Sequence, residues 1–211
     1  MTARPARVVF VAGTGTAIGK TWVASTVLAR VRADGRLVSA RKPAQSFEAG
    51  DERTDADALA AATGESPYDV CPPHRWYARA LAPPMAAAAL GAPAFTVSDL
   101  VAELGWPDGV DVGLVEGAGG PRSPMARDGD NVTLACAVGP DVVLLVADAG
   151  LGTINAVRLS VDAFVPAPVV VVLNRYDDND AVQRTNRDWL TDRDGFDVVV
   201  GAEAAAVRLV P

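Results

Sequence analysis

The stretch VVFVAGTGTAIGKTW, residues 8–22, joins an apolar run to a glycine-rich loop that ends in Gly-Lys-Thr. Such a loop between a strand and a helix points backbone N–H groups at a phosphate. The usual pattern has four residues between its first glycine and the Gly-Lys pair, whereas five residues separate Gly13 from Gly19. Because the preceding run has strand composition and the following residues have helical spacing, the context favours a phosphate-binding loop over a chance glycine-rich turn.

The residues of this loop suit a nucleoside triphosphate. Lys20 can reach the β and γ phosphates as a point charge, and the Thr21 hydroxyl can bind magnesium. Gly13, Gly15 and Gly19 permit close backbone approach or a positive φ. The longer spacing indicates a subfamily of these loops.

Short β-branched runs alternate along the chain with alanine-rich segments. Six runs have strand length: residues 7–12, 37–42, 110–116, 141–148, 168–174 and 196–201. Their Val and Leu residues are nearly continuous, as strands of a parallel sheet covered on both faces require. Helical spacing and end signals predict helices at 19–35, 54–64, 85–94 and 96–105. We therefore expect one α/β domain over residues 1–211, a doubly wound, mostly parallel sheet of the P-loop NTPase type, with residues 64–84 as a long excursion over the active face.

The charge balance argues against several kinds of partner. Lys and Arg number 19 against 26 Asp and Glu, a formal net charge of -7, so no broad cationic surface is available for nucleic acid or anionic lipid. The apolar runs are too short to span a membrane, and the first residues lead into a strand instead of a secretory signal. Cys71 and Cys136 lack metal-ligand spacing and are expected to be free, at least partly buried thiols. We expect a soluble, cytoplasmic protein.

Other charged residues follow predicted strands. Lys42 ends the second strand, Glu116 ends the third, and Asp55 or Asp57 of the segment TDAD begins a helix. The carboxyl ends of parallel strands border the crevice in which such sheets bind ligands. Each residue alone has an ordinary interpretation as a solvated lysine, a structural carboxylate or a helix cap. With the loop they supply two carboxylates, a hydroxyl and two lysines, which can position and neutralise a phosphoryl group during transfer.

The ordered motifs GTGTAIGKT, KPAQS, TDAD, VEGAGG with SPM, and GLGTINAVRL resemble those of the dethiobiotin synthetase family, whose phosphate loop has the same five-residue spacing. The resemblance extends from about residue 8 to residue 174. It implies an ATP- and Mg²⁺-dependent ligase that converts 7,8-diaminononanoate and CO2 into the cyclic urea dethiobiotin. It also implies a homodimer that binds its substrate near the subunit interface.

The resemblance implies a role for each matching residue. The residues that would bind ATP are Gly13, Thr14, Gly15, Thr16, Ala17, Ile18, Gly19, Lys20, Thr21, Glu116, Gly117, Ala118, Gly119 and, at the adenine, Asn174. Those that would hold Mg²⁺ are Thr21, Asp55 and Glu116, with Asp57 left open as an alternative to Asp55. Those that would contact the substrate are Lys42, Ser46, Gly152 and Asn155, the last two receiving its carboxylate across the interface. The catalytic residues would be Lys42, Lys20 and Thr16.

Two departures from the family pattern leave local substrate contacts open. Gly15 stands where many members carry aspartate, and APPMAAAAL (residues 82–90) replaces a Ser-Pro-His stretch. The preferred nucleotide base is also left open. The only histidine, His74, lies in a proline-rich segment and is expected to be a surface or packing residue.

Two other functions share this type of loop. An ATP-driven switch of the deviant P-loop class carries an extra lysine just after the first glycine, where Thr14 and Gly15 stand here. The sequence also shows no basic amphipathic helix for membrane binding. The ATP-binding domain of a cobyrinate a,c-diamide synthase normally accompanies a glutaminase domain with a cysteine nucleophile, and the 211 residues provide none.

Overall fold

A computed structural model describes residues 4–209 of the chain as a parallel sheet with helices on both faces. The strands are β1 Arg7–Gly13, β2 Val38–Arg41, β3 Gln45–Ser46, β4 Trp76–Tyr77, β5 Val112–Glu116, β6 Pro124–Ala126, β7 Gly129–Asp130, β8 Val142–Asp148, β9 Val169–Asn174 and β10 Asp197–Val200. The main sheet has six parallel strands in the order β10-β9-β8-β1-β5-β2. The pairs β3–β4 and β6–β7 form two small separate ladders.

Nine α-helices cover this sheet within the described residues. They are α1 Lys20–Ala33, α2 Asp55–Thr63, α3 Pro67–Val70, α4 Pro83–Ala89, α5 Val97–Ala102, α6 Asn131–Val138, α7 Thr153–Phe164, α8 Ala181–Asp188 and α9 Gly201–Leu209. A 3₁₀ turn spans Pro73–Arg75 and a π-helical turn spans Trp189–Arg193. None of these helices is long and apolar enough to cross a lipid bilayer.

The continuous apolar strands serve two cores, one on each face of the sheet. Val9 and Val11 of β1 face the core made with α1, α2 and α9. Phe10 and Ala12 face the opposite core, made with α4, α5, α6 and α7. Successive strand residues point to opposite faces, so a strand buried on both faces needs apolar residues at every position.

The six strands of the main sheet confirm the sequence prediction, since each begins and ends within two residues of its predicted bounds. The α/β fold class and the doubly wound parallel sheet are also confirmed. The helix predicted at 85–94 begins earlier and ends at Ala89, and Gly91 beyond it has a φ of 69°. The excursion over residues 64–84 folds into α3, the 3₁₀ turn, β4 and the start of α4.

The two cysteines differ in exposure. Both thiols are free; Cys71 is buried and Cys136 is exposed. The prediction of a partly buried thiol was therefore wrong for Cys136, which lies on the outer face of α6. Burial raises the pKa of the Cys71 thiol to about 12, so this cysteine is an unreactive core residue.

The C-terminal segment AEAAAVRL forms part of α9, which the sequence did not predict. Its small side chains Ala202, Ala205 and Ala206, together with Leu209, are buried in the core that α9 shares with α1. Alanines allow the two helices to approach closely, and Leu209 closes the end of this core.

We expect Leu209→Ala to lower the free energy of unfolding by about 2–4 kcal/mol, because it removes a fully buried side chain and leaves a cavity. Val207 lies on the same helix with 72% of its surface exposed, so Val207→Ala should change stability by less than about 0.5 kcal/mol. Urea unfolding of both variants tests this. Equal midpoints for the two variants would show that α9 does not pack on α1 in solution.

Candidate active site

The phosphate loop leaves β1 at Gly13 and enters α1 at Lys20. Gly19, the residue before the helix, has a φ of 90°. A Cβ there would lie 2.2 Å from Nδ2 of Asn174, so no other residue fits this position without rearrangement. No side chain caps α1 and its first turn holds no acidic residue. The N-terminal N–H groups of α1 therefore suit an anion.

Lys20 is folded back over the loop that precedes it. Its Nζ donates a hydrogen bond to the Gly15 carbonyl at 3.0 Å, and the side chain is largely buried. Burial, with a smaller contribution from the nearby charge of Lys42, lowers the Lys20 pKa to about 8. A phosphate chain in the cleft would supply the negative charge that this ammonium lacks.

A compact polar cluster lies beside the loop. Lys42 Nζ is 2.6 Å from Oε1 of Glu116 and 2.7 Å from Oδ2 of Asp55. It also donates to the Gly117 carbonyl at 3.1 Å. The Thr21 hydroxyl lies 2.8 Å from both Asp55 Oδ1 and Glu116 Oε1. The cluster thus joins α1, α2 and the ends of β2 and β5.

The charges in this cluster stabilise one another. Burial disfavours the charged form of Lys42, but the attraction and hydrogen bonds of Asp55 and Glu116 outweigh it and raise the Lys42 pKa. The charge of Lys42 holds the pKa of Asp55 below its usual value. Burial raises the pKa of Glu116, which is fully enclosed, although Lys42 opposes that rise. The contacts with Asp55 and Glu116 therefore favour the protonated form of Lys42 and hold its ammonium beside the loop in this structure.

Asp55 and Asp57 have different positions. Asp55 faces Thr21 and Lys42, as described above. Asp57 faces away from the cluster and accepts hydrogen bonds from the backbone N–H and the hydroxyl of Thr54, both at 2.8 Å. These contacts are part of the capping box that begins α2. Of the two, only Asp55 contacts Thr21 and Lys42.

The cluster contains oxygen ligands of the kind that bind Mg²⁺ in proteins. Oε2 of Glu116 is buried without a hydrogen-bond partner, and Asp55 and Thr21 provide further oxygens close by. Mg²⁺ is typically bound by one or two carboxylates, with phosphate oxygens and water completing its shell. Residues 4–209 contain no group of three or more His, Cys, Asp or Glu that could hold a metal without such help.

A cleft of about 560 Å³ opens over the loop and the cluster. The residues that line it include Thr16, Ala17, Gly19, Lys20, Thr21, Lys42, Ser46, Asp55, Ala118 and Gly119 from the sequence-based set. One wall is formed by Ala80–Pro83 at the end of the excursion, and the Ser46 hydroxyl donates to the Leu81 carbonyl at 2.6 Å. The last residues of the predicted excursion therefore line this cleft.

Nine of the predicted site residues are not part of the lining of this cleft: Gly13, Thr14, Gly15, Ile18, Glu116, Gly117, Gly152, Asn155 and Asn174. Asn174 is buried and donates to the Ile18 carbonyl at 2.8 Å, so it supports the loop from behind. Gly152 has a φ of 94° and precedes α7. Asn155 lines a second, more open cleft of about 900 Å³ beside α7. His74 is exposed, with Nε2 3.2 Å from Glu103.

Sequence reasoning missed several polar residues that shape the cleft. Asn131 is buried and binds the turn after Glu116: its Nδ2 donates to the carbonyls of Ala118 and Gly120, and its Oδ1 accepts from the Ala118 N–H. Asn186 donates to the carbonyls of Ala149 and Gly150 in the turn before α7. Ser123 and Arg175 line the cleft. A single asparagine inside a helix carries no sequence signal, whereas Arg175 directly follows the predicted Asn174.

Comparison with known proteins places this geometry in a family. The family model described as AAA domain matches residues 7–202. An ATP-dependent dethiobiotin synthetase BioD of Anaeromyxobacter sp. (strain Fw109-5) is 40% identical over 179 residues, which cover 80% of this chain and 77% of that protein. The protein of the same name from Caulobacter vibrioides (strain NA1000 / CB15N) is 45% identical over 151 residues, 68% of this chain and 67% of its own.

The solved structures agree on the fold. A ParA family ATPase from Chlorobium tepidum TLS superposes with a TM-score of 0.55 at 13% identity, covering 92% of this chain and 83% of its own. That likeness shows a shared P-loop NTPase fold and nothing about activity. The sequence relatives are more specific, because their identity extends over most of both chains. This chain belongs to the family of ATP-dependent dethiobiotin synthetases, the ligases of biotin biosynthesis.

Proposed function

We propose that the cleft over the phosphate loop closes 7,8-diaminononanoate and CO2 into dethiobiotin with ATP and Mg²⁺, using the residues that the cleft brings together. The observation that carries this assignment of roles is the contact of Lys42 with both Asp55 and Glu116 beside the loop. A lysine fixed there can act on a group other than the nucleotide, which a simple nucleotide-binding site would not need.

The loop and Lys20 bind the triphosphate of ATP. Thr16, Ala17 and Gly19 of the loop line the cleft, and backbone N–H groups at such a loop and at the N-terminus of α1 attract phosphates. Lys20 exchanges its bond to the Gly15 carbonyl for the β and γ phosphates. Thr16 adds a hydroxyl donor at the same wall. Asn174 fixes the start of α1, close to the side on which the adenine lies by family resemblance.

Thr21, Asp55 and Glu116 would hold Mg²⁺, which supplies positive charge that offsets the charge of the phosphates during transfer. The unpartnered Oε2 of Glu116 supports this role. Lys42 and Mg²⁺ would compete for the carboxylates of Asp55 and Glu116. We therefore expect Lys42 to turn its ammonium toward the cleft when Mg²⁺ is bound.

The reaction needs no covalent enzyme nucleophile. One substrate amine attacks CO2 and loses a proton, which gives a carbamate. A carbamate oxygen then takes the γ-phosphoryl group of ATP and releases ADP. The second amine attacks the carbamate carbon, loses a proton, and expels inorganic phosphate as the ring closes. Lys42 neutralises the carbamate and the phosphoryl group that passes to it, and Ser46 orients the substrate nearby.

The substrate carboxylate binds the N-terminus of α7 at Gly152 and Asn155, supplied by the partner of a homodimer. This arrangement is supported by the separation of these residues from the main cleft. It is also supported by the exposure of Leu151 and Leu159 on the same region, at 95% and 65%. We propose the cytoplasm as the compartment, since ATP and reduced thiols are available there.

The alternatives have weaker support. The likeness to a ParA family ATPase is a likeness of fold, and Thr14 and Gly15 stand where the switch proteins carry their additional lysine. The relatives described above are dethiobiotin synthetases, which favours that family over a cobyrinate diamide synthase-like domain. The direct test is ATP turnover by the purified chain. Turnover should require both the diamine and bicarbonate, and turnover that ignores them would refute the ligase.

The two lysines should separate in their effects. Lys20→Ala should weaken ATP binding and lower the rate by roughly two or more powers of ten, since it removes a preorganised charge at the phosphates. Lys42→Ala should bind ATP with nearly wild-type affinity but fail to phosphorylate the carbamate, since that interaction forms mainly in the transition state. Nucleotide titration and single-turnover phosphate release measure the two steps.

Thermal melts must accompany these variants, because Lys42→Ala leaves Glu116 buried without its cation. Loss of ATP binding in a folded Lys42→Ala as severe as in Lys20→Ala would move Lys42 to the triphosphate site. Full turnover would leave it without a catalytic role.

The two aspartates provide a matched pair for the metal site. Asp55→Asn should raise the Mg²⁺ concentration needed for half-maximal turnover, because it removes a charged oxygen from the site. Asp57→Asn should leave that requirement unchanged and cost about 0.5–2 kcal/mol of stability through the weakened helix cap. Magnesium titrations of turnover test both. If only Asp57→Asn raises the Mg²⁺ requirement, Asp57 and not Asp55 is the metal ligand.

ATP affinity should depend on pH through Lys20. Its pKa of about 8 means that the ammonium loses its proton above pH 8 in the free protein, whereas the triphosphate binds the protonated form. ATP affinity should therefore already be falling slightly at pH 7.5, reach about half of its low-pH value at pH 8, and approach a loss of about tenfold per pH unit above that. Calorimetric titrations from pH 7.5 to 9.5 measure this. In Lys20→Ala the bend near pH 8 should vanish, and its persistence there would assign it to another group.

A further inference from the structure

Two residues of the site have an uncommon backbone conformation. Among residues 4–209, Ala17 and Arg175 are the only non-glycine residues with a positive φ, at 59° and 56°. They lie 158 positions apart and contact each other, since Nη2 of Arg175 donates to the Ala17 carbonyl at 3.0 Å. Both line the main cleft.

This conformation costs free energy for any residue with a Cβ, on the order of 1 kcal/mol or more. Such residues persist where the surrounding structure holds them, and they cluster at ligand sites. Here the strain aims the Arg175 side chain from the end of β9 back across the phosphate loop. An arginine that served only as a solvated surface residue would not require a backbone with a positive φ.

The charge of Arg175 is available to a ligand. No carboxylate of the described chain lies within ion-pair distance of Arg175, whereas Lys42 is engaged by Asp55 and Glu116. Lys20 bonds only a backbone carbonyl. In a chain with a formal net charge of -7, Lys20 and Arg175 are the cations of the cleft that no carboxylate neutralises. A guanidinium is well suited to phosphate oxygens, to which it can donate two hydrogen bonds at once.

We propose that Arg175 is a nucleotide-binding residue whose guanidinium leaves the Ala17 carbonyl and closes over the phosphate chain of ATP. This proposal rests on the proposed function only in that the cleft binds ATP. It adds a second cation, from the opposite side of the cleft, to the one that Lys20 supplies. The bond to Ala17 keeps the guanidinium near the loop until the nucleotide arrives.

The test compares Arg175→Gln with Arg193→Gln. Glutamine removes the charge and can still donate to the Ala17 carbonyl, and Arg193 is an exposed arginine of the π-helical turn outside the cleft. Binding of ATP, ADP and adenosine is measured by calorimetry at two salt concentrations. Arg175→Gln should weaken ATP and ADP binding about tenfold and leave adenosine unchanged. Its ATP affinity should also depend less on salt than that of the wild type. Arg193→Gln should match the wild type.

Several outcomes would overturn the proposal. An equal loss for adenosine would mean that the guanidinium stacks on the base. If Arg193→Gln loses as much ATP affinity as Arg175→Gln, the effect comes from the net charge of the chain and not from Arg175. If Arg175→Gln binds ATP with wild-type affinity, Arg175 does not contact the nucleotide. If Arg175→Gln melts early, Arg175→Gly replaces it, because glycine relieves the strained φ. A wild-type chain that binds no ATP at all would refute the proposed function instead.

Discussion

The ion pairing of the buried Lys42 ammonium with Asp55 and Glu116 is the interaction on which the rest of the site depends. A charge taken out of water is costly unless partners of opposite charge surround it. Asp55 and Glu116 supply those partners, and they come from α2 and from the end of β5. Thr21 at the start of α1 completes the set. Once these four side chains meet, α1, α2 and the ends of β2 and β5 are fixed relative to one another.

Three buried asparagines fix the loops around this centre. Each comes from outside the loop that it holds and donates to backbone carbonyls there: Asn174 to the phosphate loop, Asn131 to the turn after β5, and Asn186 to the turn before α7. Glycine-rich loops have little packing of their own. A buried amide that satisfies their carbonyls keeps them in one conformation. Rigid loops are what a positioning mechanism requires.

The arrangement suits a ligase that works by placing charges instead of forming a covalent intermediate. In the proposed mechanism, the cations Lys20, Lys42 and Arg175 act on the triphosphate, the carbamate and the transferred phosphoryl group. The carboxylates of Asp55 and Glu116 balance Lys42 in this structure, and the proposal has them share their charge with a metal ion when substrates bind. Under that proposal the same cluster stabilises the fold and supplies charges that the reaction uses.

Much of this protein was determined by local sequence. Continuous Val and Leu runs gave the six strands within two residues, because strands covered on both faces must be apolar at every position. The Gly-Lys-Thr loop after the first strand predicted the phosphate site, and the ordered motifs indicated the family. Helix α9 was not predicted because its buried face consists largely of alanines, whose burial becomes evident only when the neighbouring helix α1 packs on them.

Tertiary structure decided which side chains meet. Asp55 contacts Thr21 and Lys42, whereas Asp57 contacts the backbone of Thr54. Positions two residues apart on a helix point in nearly opposite directions, roughly 200° apart around its axis. The pairing of Lys42 with Glu116 joins residues 74 positions apart, and the contact of Arg175 with Ala17 joins residues 158 apart. No local pattern encodes such contacts, because they arise only when parallel strands bring their carboxyl ends to one edge of the sheet.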